Sequence, residues 1–313
     1  MTNENQLLWC EKYRPQKIAE CILPDEIKSV FQTYVDKEEI PNLILTGTAG
    51  VGKTTVAIAM CREAGLDYII INGSDESGID TLRVKVKGFA SSMSLMSNRK
   101  AIIIDEADYL TPAAQAAFRG VIEEFAGNCS FIFTCNFLNR LIEPLHSRCA
   151  VIDFKLSGKQ KQEMAKQFLQ RVSDILETEG IDHSSKVLVE LIMKFFPDYR
   201  RIINELQKYS VGGKIDIGIL AQISDVTLTE LIDHIKAKSF KDIRRWVGIN
   251  ANSDPQKILR DIYDKLSDIL KPESVPAAIL LLAKYQFQSA FVADAEINTM
   301  AMVTEIMLEC ETR

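Results

Sequence analysis

The sequence predicts an α/β module built on a five-stranded parallel sheet, followed by all-helical parts. Three observations carry this. Between Asn42 and Phe154, short apolar segments alternate with helix-like stretches, the pattern of parallel strands joined by helical crossovers. The first of these segments runs into a glycine-rich loop and then a helix, an arrangement suited to cradling phosphate. After Leu156-Ser157-Gly158 the strand signals stop, and apolar residues recur at helical spacing.

The strand candidates are Leu43 to Thr46, Tyr68 to Asn72, Ala101 to Asp105, Ser130 to Thr134 and Ala150 to Phe154. Ala101-Ile102-Ile103-Ile104 is apolar and β-branched without alternation, as expected of a strand buried on both faces. Further on, Met164, Phe168, Val172 and Ile175 form one helical stripe that lasts until Gly180. Ser184 is placed to cap a second helix ending at Phe196-Pro197, and Asp198 to cap a third running to Tyr209. Gly212-Gly213 opens a looser stretch. From about Val226 a second helical block continues, with a start at Asp254-Pro255 and a stop at Lys271-Pro272.

The loop reads Gly47-Thr48-Ala49-Gly50-Val51-Gly52-Lys53-Thr54 and is followed by the helical stretch from Thr55 to Met60. Its glycines permit a tight turn that aims backbone N–H groups at phosphates, and the positive end of the next helix favours anions. Lys53 is suited to reach the terminal phosphates and Thr54 to offer its hydroxyl to Mg²⁺. Hydrolysis also needs a metal carboxylate and a group that orients water. The strand ending in Asp105-Glu106-Ala107-Asp108 supplies both at the sheet edge where ligands bind: Asp105 for Mg²⁺ and Glu106 for the water.

Composition narrows the class. With 313 residues, 47% hydrophobic and 26% charged, the chain has core material for two or three domains. A net charge of −6 argues against binding nucleic acid through bulk positive charge, so any DNA contact must be local. Arg83, Lys85 and Lys87 form one basic cluster, of which Arg83 and Lys87 share a helical face. Seven scattered cysteines without a C-x-x-C pair read as thiols in a reducing compartment. Met1 to Gln6 is polar and the longest apolar run, from Val275 to Ala283, is too short to span a bilayer, so the expected location is cytoplasmic.

Several segments together resemble replication factor C and the sliding-clamp loaders. Trp9-Cys10-Glu11-Lys12-Tyr13-Arg14-Pro15 is similar to their W-x-E-K-Y-R-P opening, and Asn72-Gly73-Ser74-Asp75 to their N-A-S-D segment. Ala114-Gln115-Ala116-Ala117-Phe118-Arg119 resembles A-Q-x-A-L-R, and Ser147-Arg148-Cys149 matches S-R-C. Glu20-Cys21-Ile22-Leu23-Pro24 and Phe196-Pro197-Asp198-Tyr199-Arg200 point to the T-even-type bacteriophage branch, hence to a host bacterial cytoplasm. The resemblance implies an AAA+ module over residues 1–156, a three-helix lid over 157–223 and a helical collar over 224–313. It implies ATP and Mg²⁺ as ligands. The implied partners are further subunits in a pentamer, a sliding clamp and primer-template DNA.

The same resemblance assigns roles. Asn136, at a strand end, is expected to sense the γ-phosphate, and Arg200, in the first turn of the third lid helix, to reach back to the phosphates. Thr55, Tyr13, Arg14 and Pro15 join the ATP-binding set. Arg148 lies outside the cis phosphate contacts and is expected to act on a neighbouring subunit's nucleotide, with Arg119 a second candidate in trans. Where relatives carry a basic residue after N-A-S-D that helps relay DNA binding to the glutamate at the position of Glu106, Glu76-Ser77-Gly78 stands here, leaving Arg83 as the nearest substitute in that relay; Arg83 and Lys87 are also the candidates for a DNA contact. Phe89 to Asn98, with Met93 and Met96, has the adaptable apolar character of a clamp-binding surface. A branch-migration or initiator-type ATPase is the alternative.

Overall fold

The computed structural model describes residues 8–75, 79–92, 99–215, 226–250, 255–289 and 291–312. The chain divides into two compact units, Met1–Leu220 and Ala221–Arg313. The first opens with helices α1 (Trp9–Lys12) and α2 (Asp25–Asp36). Strands and helices then alternate: β1 (Leu43–Thr46), α3 (Lys53–Glu63), β2 (Asp67–Asn72), α4 (Ile79–Ser91), β3 (Lys100–Asp105), α5 (Pro112–Glu124), β4 (Cys129–Cys135), α6 (Glu143–His146) and β5 (Ala150–Asp153). All five strands are parallel, in the order β2-β3-β4-β1-β5.

Why the strands read as unbroken apolar runs follows from the two layers that cover them. Leu43, Leu45, Ala101, Ile103 and Ile132 enter one core with Phe31 of α2 and Val56 and Met60 of α3. Their chain neighbours Ile44, Ile102, Ile104, Phe131 and Phe133 enter the opposite core with Val86 of α4 and Phe118 and Ile122 of α5. Successive side chains point to opposite faces, so a sheet covered twice needs apolar residues at every position. Each such Leu, Ile, Val, Met or Phe side chain contributes about 1.5–3 kcal/mol when fully buried.

Three longer helices follow in the same unit: α7 (Gly158–Thr178), α8 (Ser185–Phe195) and α9 (Tyr199–Ser210). Ser157 and Gln160 form a reciprocal cap at the start of α7, and the Asp198 carboxylate accepts from the N–H of Arg201 at 3.0 Å. Ser184 precedes α8 without a side-chain cap bond. Contrary to the expectation that strands end at Phe154, β6 (Asp182–His183) pairs in parallel with β7 (Lys214–Ile215). Two residues are too few to show a period-2 pattern, so nothing in the sequence announced them.

The described residues of the second unit are helical except for one bridge between Leu270 and Thr312. They form α10 (Val226–Lys236), α11 (Phe240–Ile249), α12 (Pro255–Ile269), α13 (Val275–Ser289) and α14 (Ala295–Glu309) around Ile243, Trp246, Leu282 and Val303. Asp294 caps α14, accepting from the N–H groups of Glu296 and Ile297 at 2.9 and 3.1 Å. Asp254 lies outside the described residues. No described helix is long and apolar enough to cross a membrane.

Candidate functional site

The register of the sheet assembles the site. Thr46 of β1 lies beside Cys135 of β4, and Ile104 of β3 beside Phe133 of β4. The loop after β1, the carboxylates after β3 and Asn136 after β4 therefore leave the sheet at the same edge, at the carboxyl ends of the strands. One cleft there is lined by Ala49 through Thr55, Asp105, Glu106, Thr134 and Asn136, by Arg200 of α9, and by Tyr13, Arg14 and Pro15. Gly47 and Thr48 complete the loop behind it.

All three glycines of the loop occupy backbone conformations that L side chains resist, Gly47 at φ +151° among them. Gly52, at φ +92°, turns the chain into α3, and Gly50 sits at φ +74° under the start of α9. The carbonyl of Gly50 accepts from the N–H of Tyr199 at 3.1 Å. A Cβ on Gly50 would stand 1.8 Å from Oδ1 of Asp198, the oxygen that caps α9. Gly50→Ala thus combines positive-φ strain with displacement of a cap worth about 1 kcal/mol. Its expected cost is about 2 kcal/mol, a fall of roughly 4–8 °C in Tm for a unit of this size. Thermal unfolding checks this, and an unchanged Tm would mean that α9 is not seated on the loop.

Lys53 is 8% exposed. Its Nζ donates to the carbonyls of Gly47 and Thr48, both at 2.8 Å, and to Oδ1 of Asn136 at 2.9 Å. Burial lowers its pKa from the usual lysine value, a penalty that an incoming polyphosphate would offset. Beside it, Thr54 Oγ1 donates to Oδ1 of Asp105 at 2.6 Å, and Thr134 Oγ1 donates to the same oxygen at 2.5 Å. Thr134 also accepts from the N–H of Glu106 at 3.1 Å. Sequence reading missed this threonine, which from the neighbouring strand joins the Asp105 carboxylate to the backbone N–H of Glu106. Glu106 itself stands at φ +53°, uncommon for a residue with a side chain.

Asp108, at the end of the same acidic segment, has a structural part. It is 6% exposed, and its Oδ2 accepts from the N–H groups of Asn136 and Phe137 at 3.3 and 3.2 Å, holding the turn that carries Asn136. Gln115, buried in α5, donates to the carbonyls of Leu110 and Arg140 and accepts from the N–H of Ile142, so it ties the loops behind the site together. The hydroxyl of Thr54 and the carboxylate of Asp105 are hard oxygen donors, a set that fits Mg²⁺. That ion commonly takes one or two protein oxygens and completes its shell with phosphate and water. Among the described residues no cluster of three His, Cys, Asp or Glu side chains could hold a metal by itself.

Part of the cleft wall is apolar. Ile22, Leu23, Phe168, Tyr199 and Ile203 line it, with the rings of Phe168 and Tyr199 4.6 Å apart. A flat heteroaromatic base suits such walls. Phe168 reads in the sequence only as part of a core stripe, and nothing in that periodicity distinguishes a cleft wall from a core contact. Arg200 is exposed at the rim.

The remaining candidates stand elsewhere. Arg148 does not line the cleft. It follows α6, and its Nε and Nη2 donate to Oε1 of Glu123 at 3.0 and 2.5 Å, while Nη1 donates to the carbonyl of Pro144 at 2.9 Å. The hydrogen bond from Arg148, with Arg119 adding a weaker field, holds the Glu123 carboxyl below its ordinary pKa. Arg119 is exposed on α5 one turn before Glu123. Lys87, a candidate for DNA, is paired with Glu124 at 2.7 Å, and the side chain of Arg83 lies outside the described residues. Of the segment proposed to meet a clamp, Phe89 is half-buried against the α4–α5 core with the Lys100 ammonium 4.7 Å from its ring centroid. Met93 and Met96 lie outside the described residues.

Comparison with known proteins adds an independent line. Residues 43–156 match the model of the ATPase family associated with various cellular activities. Residues 160–221 match the AAA+ ATPase lid domain of the sliding-clamp-loader large subunit. The chain is 34% identical to the sliding-clamp-loader large subunit of Enterobacteria phage T4, over 99% of this chain and 98% of that one. It is 39% identical to the same subunit of Escherichia phage RB69, with the same coverage. Identity to the replication factor C small subunit of Archaeoglobus fulgidus is 37%, over 87% of this chain and 89% of the relative. Among solved structures, a RuvB variant from Thermotoga maritima superposes with a TM-score of 0.52 at 19% identity, covering 68% of this chain and 73% of that one, a likeness of fold.

Proposed function

The chain belongs to the sliding-clamp-loader family of AAA+ ATPases, and from that premise we propose that it is the ATP-hydrolysing subunit of a loader that places a ring-shaped clamp on primer-template DNA. The observation that carries the reading is the convergence of loop 47–54, Asp105, Glu106, Asn136 and lid residue Arg200 on one cleft that Arg148 does not reach. Such a subunit is complete for binding and incomplete for rapid hydrolysis, so assembly controls its activity.

In this reading the loop N–H groups and Lys53 hold the β- and γ-phosphates, displacing the lysine from the carbonyls of Gly47 and Thr48. Thr54 and Asp105 hold Mg²⁺, which when bound neutralises charge on the phosphates. Glu106 orients the attacking water and accepts its proton, and Asn136 meets the γ-phosphate or that water. Arg200 couples the lid to the phosphates, with the lid taken as 157–223. Residues 224–313 act as the collar that joins subunits, in a pentamer. Arg148, with Arg119 beside it, completes the site of the next subunit. ATP and ADP states differ in affinity for the closed, clamp-opening assembly, and that difference turns hydrolysis into release of the clamp on DNA.

A branch-migration motor would call for a C-terminal winged helix with a hairpin, whereas the described part of the second unit is helical apart from a single bridge. Steady-state ATP turnover of the assembled loader is expected to rise when clamp and primed DNA are added together. A rate indifferent to both would overturn the proposal.

A further inference from the structure

The segment from Trp9 to Ile18 is attached at its two ends to different parts of the first unit. Its first half hangs on the lid. The N–H of Trp9 donates to Oε1 of Gln207 on α9 at 2.9 Å. Lys12 Nζ donates to Oε1 of Glu179 at 2.6 Å, the Tyr13 hydroxyl donates to the same oxygen, and Arg171 of α7 donates to the Tyr13 carbonyl at 3.1 Å. Its second half hangs on α3, the helix that begins with Lys53. The N–H of Ile18 donates to Oε2 of Glu63 at 2.7 Å, and Arg62 donates to the side chain of Gln16. Between the two attachments, Tyr13, Arg14 and Pro15 line the cleft. Pro15 has no N–H to donate and sits at the joint.

Glu179 is the hub of the lid attachment. It directly follows α7, where a carboxylate opposes the helix dipole and gains from a cation at hand. The Glu179 and Lys12 side chains are only 20% and 29% exposed. Their hydrogen bond pushes the Glu179 carboxyl below its ordinary pKa and the Lys12 ammonium above its own.

We infer that Glu179 is a positioning residue for base recognition: it fastens the Trp9–Tyr13 strap to the lid, so Tyr13, Arg14 and Pro15, which line the cleft together with the apolar residues suited to a base, move when the lid moves. Base affinity and lid position are then linked, and each biases the other. A lid set correctly over the phosphates presents the strap to the base, and a base held by the strap draws the lid down. The inference rests on the reading of the cleft as an ATP site.

The test compares ATP with tripolyphosphate, which has the phosphates and no base, both with Mg²⁺ and the full chain. Glu179→Ala is expected to weaken ATP binding about 10-fold, roughly 1.4 kcal/mol, and to leave tripolyphosphate binding unchanged. Glu179→Gln keeps an oxygen that accepts from Tyr13 and Lys12, and is expected to stay within about threefold of the parent chain. Tyr13→Phe, which removes only the hydroxyl's bond to Glu179, is expected to show the same selective loss on a smaller scale and serves if the alanine variant does not fold. Unchanged ATP affinity in Glu179→Ala, or equal loss of both ligands, overturns the inference. If Lys53→Ala binds ATP as well as the parent chain does, the ATP-site reading fails, and the inference with it.

Discussion

Glu106→Gln is expected to bind ATP as tightly as the parent chain and to hydrolyse it at least 100-fold more slowly, whereas Lys53→Ala is expected to lose tight binding altogether. The division follows from where the two side chains stand. Lys53 is buried among the loop carbonyls and Asn136, where its ammonium holds the empty loop and stands ready to turn to incoming phosphates. Replacing it removes the cation at the centre of the cradle and leaves those acceptors without their donor. Glu106 lines the same cleft with its backbone fixed by Thr134. Glutamine preserves its shape while removing the base, a contribution of about 10²–10⁴ in rate. Nucleotide titration and steady-state hydrolysis of both variants check the pair. A Glu106→Gln chain that turns over at the normal rate would remove Glu106 from the mechanism.

What could be read in the sequence was whatever the backbone dictates locally. A strand buried on both faces leaves a continuous apolar run, so Leu43–Thr46 and Ala101–Asp105 were legible as strands, the latter one residue short of the observed start. The glycines of the loop were legible because Gly50 and Gly52 stand at positive φ, which few other residues tolerate. Contacts between distant segments left no such mark. Thr134 reads as one more β-branched strand residue, yet its hydroxyl meets Asp105 across the strand pair. Glu179 reads as a polar helix end, yet it binds Lys12 and Tyr13, more than 160 residues earlier. Neither partner could be named before the register and the lid position were known. Lys87 shows the reverse case: a surface cation whose pairing with Glu124 depends on how α4 packs against α5.

Arg148→Ala is expected to leave the ATP affinity of the isolated subunit unchanged and to reduce hydrolysis in the assembled loader by about 10³–10⁵, equivalent to roughly 4–7 kcal/mol of barrier. In the subunit alone the guanidinium is bonded to Glu123 and Pro144 and does not line the cleft, so nothing in cis is lost from the nucleotide. The fold should tolerate the change, because the Glu123 side chain left behind is 57% exposed and remains hydrated, and surface pairs of this kind contribute about 0–1 kcal/mol. Within the assembly the expected loss is large because a cation facing a neighbour's γ-phosphate acts where charge develops during transfer, in a site screened from water. Mixing supplies the decisive control. A complex combining Arg148→Ala with Lys53→Ala subunits contains some interfaces where an intact arginine meets an intact loop, and activity should return in proportion to those interfaces. Weakened ATP binding by the Arg148→Ala monomer would place the residue in cis. Absence of any recovery on mixing would show that the arginine acts within its own subunit rather than across the boundary.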